Sequence, residues 1–288
     1  MVNLISGGLH AGSNLEFQDF LLLPIAARSY SEALEIAVHV YRVLAATLKA
    51  HGLESVLVGD EGGFGPKLHS NEQAGQLIVE AIGKAGLKPG KDAAIAIDVA
   101  ASQFYHGGCY RLHTTAGLTM TSTEMAAMLQ RLVKDCQIFS IEDGMAEDDW
   151  DGWRLLTQML GERVQLIGDD LFVTNPDRLR RGIQSDVANS ILVKVNQIGT
   201  LTETLEVIDM AREAGYRPVI SARSGETEDS TIADLAVATG AGQIKIGSIA
   251  RSERLAKYNQ LLRIEEQLGT NAPFARWCQG SSQPGSKL

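Results

Sequence analysis

The chain has 288 residues, 44% of them hydrophobic and 21% charged, which is the composition of a globular protein able to bury a large core. Its 26 basic and 35 acidic side chains give a net charge of −9, which argues against nucleic acid or an anionic membrane as the main partner. No apolar run is long enough to span a membrane and no charged-then-apolar leader follows Met1, so we expect a cytoplasmic protein. Cys109, Cys136 and Cys278 lack CxxC spacing, which suits a reducing compartment and predicts no zinc site.

The beginning of the chain predicts two strands followed by two helices. Short apolar runs at 2–6 and 20–23 indicate the strands, and the polar, glycine-rich stretch GGLHAGSNLEFQD lies between them. Ser29 and Ser70 are suited to cap the starts of the two helices. Between these helices, VGDEGGFGP contains four glycines and a proline, so we expect an irregular loop that carries Glu61.

Strand and helix then alternate to the end of the chain. Six further strands are expected at 94–98, 138–142, 164–168, 190–194, 218–222 and 243–247. Eight strands alternating with helices favour a closed (β/α)8 barrel of the order ββαα(βα)6 over an open sheet, and no glycine fingerprint of a dinucleotide fold follows the first strand. We predict one α/β barrel domain at 1–269 and a polar, turn-rich tail at 270–288 lying on its surface.

Charged side chains lie at the predicted strand ends. Lys194 interrupts the apolar stretch SILVKVNQIG, and a lysine is rarely buried without a partner or a function. An edge strand with this lysine facing solvent is the alternative. The neighbouring strands also end in charged groups, which are Asp98, Glu142, Asp169, Arg223 and Lys245. Because active sites of such barrels lie at the C-terminal ends of the strands, we expect these groups to meet in one site.

Three of these groups are carboxylates on consecutive strands, and they predict a metal ion. Asp98, Glu142 and Asp169 would repel one another in a confined site, and all-oxygen ligands favour Mg²⁺. The alternative is a structural ion network without metal, in which the neighbouring lysines and arginine neutralise the carboxylates. Asp143 and Asp170, which directly follow two of the carboxylates, are expected to point away or to support the ligands.

Lys194 and Glu61 suit acid–base chemistry. A lysine near a dication and other cations has its neutral form favoured and can act as a base. Beside Mg²⁺, such a base suits abstraction of a carbon-bound proton next to a carboxylate, and Glu61 is available as the acid for an elimination. A Schiff base formed by the lysine remains an alternative.

Long stretches of the sequence resemble the enolase family, the phosphopyruvate hydratases. The resemblance lies in GDEGGF, SIED, GDDLFVTNP, LVKVNQIG, RSGETEDSTIADL, GQIKIG and RSERLAKYNQLLRIEEQLG, and it covers nearly the whole chain. A lysine base with Mg²⁺ is the known arrangement of enolase-superfamily sites. The resemblance implies that Lys194 takes the C2 proton of 2-phosphoglycerate, that Glu61 assists departure of the 3-hydroxyl, and that the three carboxylates bind the essential Mg²⁺. It also implies a set of substrate-side residues, which are His10, Gln18, Asp19, Arg223, Ser224 and Lys245.

The chain departs from the family pattern at several pocket positions. Ala222 stands where the family has histidine, and Asp19 stands where it has glutamate, one carbon–carbon bond or about 1.5 Å longer. The remaining differences are Ser6 for asparagine, Gly144 for proline, and Gly247-Ser248-Ile249 for Gly-Ala-Pro. The resemblance implies an N-terminal domain with a loop that closes over the substrate, and because none of these 288 residues matches it, we expect the site to be more open.

Three functions are therefore compatible with the sequence. The first is enolase-type dehydration, slow or completed by a separate chain, and the second is a related lyase or racemase acting on another carboxylate. The third is a metal-binding barrel retained as a scaffold, against which the retained base, acid and carboxylates argue. Without the covering domain, the strand-end rim should expose an apolar patch, so we expect a homo-oligomer, most simply a dimer.

Overall fold

Eight strands and the helices between them form the framework of the computed structural model, which describes residues 1–113 and 117–277. In chain order, the strands are β1 (Val2–Ser6), β2 (Asp19–Leu23), β3 (Ala94–Asp98), β4 (Tyr105–His106), β5 (Cys109–Leu112), β6 (Leu118–Met120), β7 (Ile138–Glu142), β8 (Gln165–Gly168), β9 (Ser190–Val193), β10 (Arg217–Ser221) and β11 (Ile244–Lys245). The helices are α1 (Tyr30–Ala50), α2 (Asn71–Lys84), α3 (Ser122–Cys136), α4 (Trp150–Leu160), α5 (Pro176–Gln184), α6 (Val195–Ile198), α7 (Leu201–Glu213), α8 (Thr231–Ala238) and α9 (Ser252–Leu268).

The main sheet has the order β1-β2-β3-β7-β8-β9-β10-β11 and curls into a nearly closed barrel. Strand β2 is antiparallel to β1 and β3, whereas the pairs from β3 to β11 are parallel. The ends of the sheet meet where Val2 forms a parallel bridge to Gly247 and the Asn3 amide donates to the Gly247 carbonyl at 3.1 Å. The predicted α/β barrel of the order ββαα(βα)6 is confirmed. A separate small antiparallel sheet of β4, β5 and β6 follows β3.

Local capping explains where several helices begin. The Thr121 side chain accepts from the Glu124 amide while the Glu124 side chain accepts from the Thr121 amide, which satisfies two free N–H groups of α3. Asn175 caps α5, whose first residue is Pro176. The short helix α6 was not predicted, because the apolar pattern of its residues continues that of the preceding strand. In the structure, that strand ends at Val193, one residue before Lys194.

The barrel interior is apolar in its middle and charged at one end. Side chains alternate along a strand, so Leu21 and Leu23 share a face with Asp19, and Ala96 shares one with Asp98. These apolar residues belong to a small buried cluster distinct from the larger cluster that contains the helix-packing residues. The strands therefore deliver their terminal polar groups to the C-terminal mouth above a packed interior.

Only the beginning of the predicted tail falls within the described residues. The Trp277 ring lies 6.3 Å from the Phe139 ring, and the Arg217 guanidinium lies 5.7 Å from the Trp277 ring. Because Arg217 begins β10, this contact is at the N-terminal end of the barrel, opposite the charged mouth. Cys278 and the remainder of the tail lie outside the described residues, and the boundary at 269 stays a prediction. Within the described ranges, none of the helices has the length and apolar character required to cross a membrane.

Candidate active site

Lys245 is the buried centre of the charged mouth. Asp98 and Glu142 end adjacent parallel strands in register, and the Lys245 Nζ donates to Asp98 Oδ2 at 2.7 Å and to both Glu142 oxygens at 2.8 Å. Burial alone would lower the pKa of Lys245, but the two carboxylates raise it well above its ordinary value. Burial would raise the pKa of Asp98, but the charge of Lys245 outweighs it and the pKa is lowered. The pKa of Glu142 is raised, first by burial and then by the charge of Asp98. One ammonium thus compensates two carboxylates incompletely.

Lys194 forms a second ion pair beside the first. It follows β9, and its Nζ lies 2.5 Å from Oδ2 of Asp169, which follows β8. Burial acts to lower the pKa of Lys194, but Asp169 and Glu142 outweigh it, and the pKa is raised. The sequence predicted that the neutral form of Lys194 is favoured, and that prediction included the charge of a nearby dication. The protein groups alone favour the protonated form instead. The exposed edge-strand alternative is wrong, since this side chain is only 14% exposed and ion-paired.

The structure divides the predicted metal carboxylates between two lysines. Asp98 and Glu142 surround Lys245, while Asp169 lies with Asp143 and Asp170, each offering an oxygen within 4.8 Å of the others. Among the described residues, the predicted ligands Asp98, Glu142 and Asp169 do not form a group whose oxygens all lie within 4.8 Å of one another. Ion pairing of the carboxylates, which the alternative network required, is thus present.

The donor set nevertheless fits Mg²⁺. Five carboxylates cluster around two lysines, and Asp169 Oδ1 is buried with no hydrogen-bond partner among the described residues. Burial, followed by the charge of Asp169, raises the pKa of Asp170 to about 6, as expected where negative charge is in excess. Oxygen ligands, surplus negative charge and an unpaired oxygen are the features that a hard dication satisfies. Asp98, Glu142 and Asp169 would hold it.

Asp143 supports the loop that carries Asp169. Its two carboxylate oxygens accept the backbone N–H groups of Asp169 at 2.9 Å and Asp170 at 2.8 Å. The residue is buried and has a φ of 43°, an uncommon conformation for a residue other than glycine. Of the two alternatives predicted for Asp143, the supporting one is confirmed.

Glu61 lies on the other side of the mouth, in the glycine-rich loop. The loop is tied to the barrel by the Ser248 amide, which donates to the Glu61 carbonyl at 2.8 Å. Burial, followed by the charge of Asp19, raises the pKa of Glu61 to about 7. A carboxyl with this pKa holds a proton near neutral pH, as a general acid must.

Asn3 links Glu61 to the strand residues and was missed from the sequence. Its Nδ2 donates to Asp19 Oδ1 at 2.5 Å and to Ser6 Oγ at 3.0 Å, and lies 3.5 Å from Glu61 Oε2. A Cβ at Gly63 would come within 2.6 Å of the Asn3 Oδ1, so only glycine permits this approach of the loop. The available signal was a polar residue inside the otherwise apolar run VNLIS.

The remaining substrate-side residues lie around these groups. Asp19, although shorter than the family's glutamate, reaches the His10 Nδ1 at 3.0 Å with Oδ2. Gln18 donates to Asp98 Oδ2 at 3.2 Å. Arg223 follows β10 and donates from Nη1 to the Asn196 Oδ1 at 2.9 Å, next to an exposed Ser224.

The family comparison agrees with this arrangement. The family described as "Enolase, C-terminal TIM barrel domain" matches residues 1–281. The chain belongs to this family. It is 57% identical over 275 residues to an enolase of Acidothermus cellulolyticus. This aligned region covers 96% of this chain and 63% of that protein. This enolase-family barrel therefore spans less than two thirds of the length of that relative.

The raised pKa of Glu61 predicts a pH dependence of stability. The folded state binds this proton more tightly than the unfolded chain, so its stabilisation is complete below the ordinary glutamate pKa and is lost as the pH rises through about 7. Glu61→Gln keeps a neutral side chain, so its melting temperature should fall less than that of the wild type between about pH 5 and pH 8. Melting curves across this range measure the difference.

Glu213→Gln, an exposed change at the end of α7, is the matched control and should follow the wild-type profile. Identical profiles for Glu61→Gln and the wild type would show that Glu61 is already ionised throughout the range.

Proposed function

We propose that this enolase barrel is a Mg²⁺-dependent lyase that reversibly dehydrates 2-phosphoglycerate to phosphoenolpyruvate. The observation that carries the proposal is the placement of a base candidate and a proton-holding acid on different sides of one carboxylate-rich mouth. Lys194 follows β9, whereas the Glu61 loop pairs with β1, three strands further around the barrel. A substrate held between them would present its C2 proton to one and its 3-hydroxyl to the other.

The chain's residues have separate roles in this mechanism. Lys194, in its neutral form, accepts the C2 proton at Nζ, and Glu61 donates its proton to the departing hydroxyl. Lys245 places a buried positive charge where a substrate carboxylate would bind, and Arg223 supplies charge for the phosphate. When bound by the three carboxylates, Mg²⁺ would offset the negative charge of the site and of the dianionic intermediate.

A related lyase or racemase is the second candidate. Ala222 is buried directly after β10, at a position where the enolase pattern has a histidine. Loss of an imidazole there changes the groups that face the substrate without affecting Lys194 or the metal carboxylates. Activity on another 2-hydroxy acid exceeding that on 2-phosphoglycerate would favour this candidate.

Proton abstraction should survive better than elimination. In heavy water, we expect C2 deuteration of 2-phosphoglycerate to outrun formation of phosphoenolpyruvate, because Asp19, which replaces a longer glutamate, acts on Glu61 and because Ala222 removes the imidazole of the family pattern. Lys194→Ala should abolish the exchange, whereas Glu61→Gln should slow elimination by about 10² or more, the lower value for loss of a general acid. Nuclear magnetic resonance follows both reactions in one sample.

Lys134→Ala, an exposed change on α3, is the control for Lys194→Ala and should leave both rates unchanged. Ala222→His should raise elimination more than exchange. Equal loss of exchange and elimination in Glu61→Gln would contradict the division of roles.

We also propose that the protein is a cytoplasmic homodimer joined at the rim beside Glu61. The exposed fractions of Leu9, Val56 and Leu57 are 71%, 80% and 67%, and their loops are adjacent because the Asp60 amide donates to the His10 carbonyl. Exposed apolar patches of this kind usually belong to interfaces.

Replacing Val56 and Leu57 together by serine should convert the dimer into a monomer with an unchanged fold, since both side chains are exposed. Light scattering measures the mass, and circular dichroism serves as the control for the fold. A monomeric wild type at high concentration would contradict the proposed dimer.

A further inference from the structure

Arg254 of α9 is a completely buried cation held by backbone carbonyls. Its exposed fraction is 0%. Its Nη1 donates to the Arg223 carbonyl at 2.6 Å and to the Ile246 carbonyl at 2.9 Å, and its Nη2 donates to the Ser224 carbonyl at 2.6 Å. The Nε lies 3.8 Å from a Glu253 oxygen and has no hydrogen-bond partner among the described residues. Because burying a charge is costly, this arrangement needs a structural or functional reason.

The three carbonyls belong to two segments that leave the barrel mouth. Arg223 and Ser224 follow β10, whereas Ile246 directly follows Lys245 at the end of β11. One guanidinium therefore joins the loop proposed to take the phosphate to the strand that carries the lysine proposed to take the carboxylate. The rigid fork of an arginine suits this bridging, because its donors have fixed relative directions.

Lys257, one turn further along α9, holds the same loop. Its Nζ donates to the Thr227 carbonyl and lies 2.9 Å from Oε2 of Glu226. The other Glu226 oxygen accepts from the Arg223 amide at 2.9 Å. The loop between β10 and α8 is thus fixed by α9 at several points, although it contains no strand or helix itself.

The space around Arg254 is closely fitted to this bridge. A Cβ at Gly247 would lie 3.0 Å from the Arg254 Cδ and 3.0 Å from the Glu61 carbonyl oxygen. Gly247 also has a φ of 114°, which side-chain-bearing residues rarely adopt. The guanidinium, the exit of β11 and the acid loop therefore pack against one another with no room for an added methyl group.

We propose that Arg254 is a positioning residue that fixes the Arg223–Ser224 backbone relative to Lys245, and so sets the spacing at which phosphate and carboxylate are bound. Fixing the carbonyls fixes the peptide planes from which the Arg223 and Ser224 side chains project. The inference rests on the proposed function for the identity of the ligand, but the immobilisation of the loop can be tested separately. In this proposal Arg254 does not contact the substrate and acts only through the loop.

The test compares Arg254→Lys with Tyr258→Phe. Lysine keeps the charge but cannot reach all three carbonyls with fixed geometry, so the KM for 2-phosphoglycerate should rise about tenfold or more, the effect of losing one charged hydrogen bond. The kcat should change much less, because Lys194 and Glu61 are untouched. Hydrogen exchange at the amides of 224–229 should become faster. Tyr258→Phe removes a 2.8 Å hydrogen bond from the same helix to the Gly247 carbonyl, which keeps its Asn3 donor, and should leave KM and loop exchange unchanged.

The outcomes separate this inference from the proposed function. A wild type that neither binds nor converts 2-phosphoglycerate would overturn the function, while loop exchange in Arg254→Lys would still decide the positioning role. Unchanged KM and unchanged loop exchange would overturn the inference, as would an equal rise in KM in Tyr258→Phe. If Arg254→Lys does not fold, Arg254→Ala is compared with and without added guanidinium ion. Recovery of slow loop exchange with the ion supports the positioning role, and lack of recovery contradicts it.

Discussion

The excess of carboxylates over lysines at the barrel mouth is the constraint on which the site depends. Lys245 donates to Asp98 and Glu142, and Lys194 donates to Asp169, so both ammonium groups are paired while carboxylate oxygens remain. Burial makes this imbalance costly, because unpaired negative charge in a low-dielectric interior is poorly tolerated. The same excess keeps the proton on Lys194, and it supplies the hard oxygen ligands that a dication needs. With a dication bound, metal binding and base function would therefore be coupled through one set of charges.

The barrel creates this constraint through strand register. Asp98 and Glu142 are direct partners on adjacent parallel strands, so their side chains reach the same face at the same height. Glu61 is separated from them by being placed on a loop, where burial and Asp19 raise its pKa and favour the protonated form. A single fold thus lowers the pKa of Asp98 at a strand end and raises the pKa of Glu61 on the loop beside it.

Much of this was accessible from the sequence, because alternation of strands and helices fixes where parallel strands end. The charged residues from Asp98 to Lys245 were identified in this way, and so was the barrel. The contacts of Asn3 and Arg254 were not predicted. Asn3 reaches Asp19 and Glu61, 16 and 58 residues away, and Arg254 binds backbone carbonyls 8 to 31 residues away, which carry no sequence signature. The direction in which the protein groups alone shift the pKa of Lys194 could not be predicted either, because it depends on distances to carboxylates that sequence spacing does not give.

The most direct measurement is anomalous diffraction from crystals of this chain soaked in Mn²⁺, an ion that accepts the same oxygen ligands as Mg²⁺. We expect one strong peak in contact with Asp169 Oδ1, the buried oxygen that has no hydrogen-bond partner among the described residues, with Asp98 and Glu142 as the other protein ligands. Lys194 should then lie free of its short contact with Asp169. Crystals with no peak at this position, and with both lysine ion pairs intact, would contradict the account and leave the carboxylates as a structural ion network.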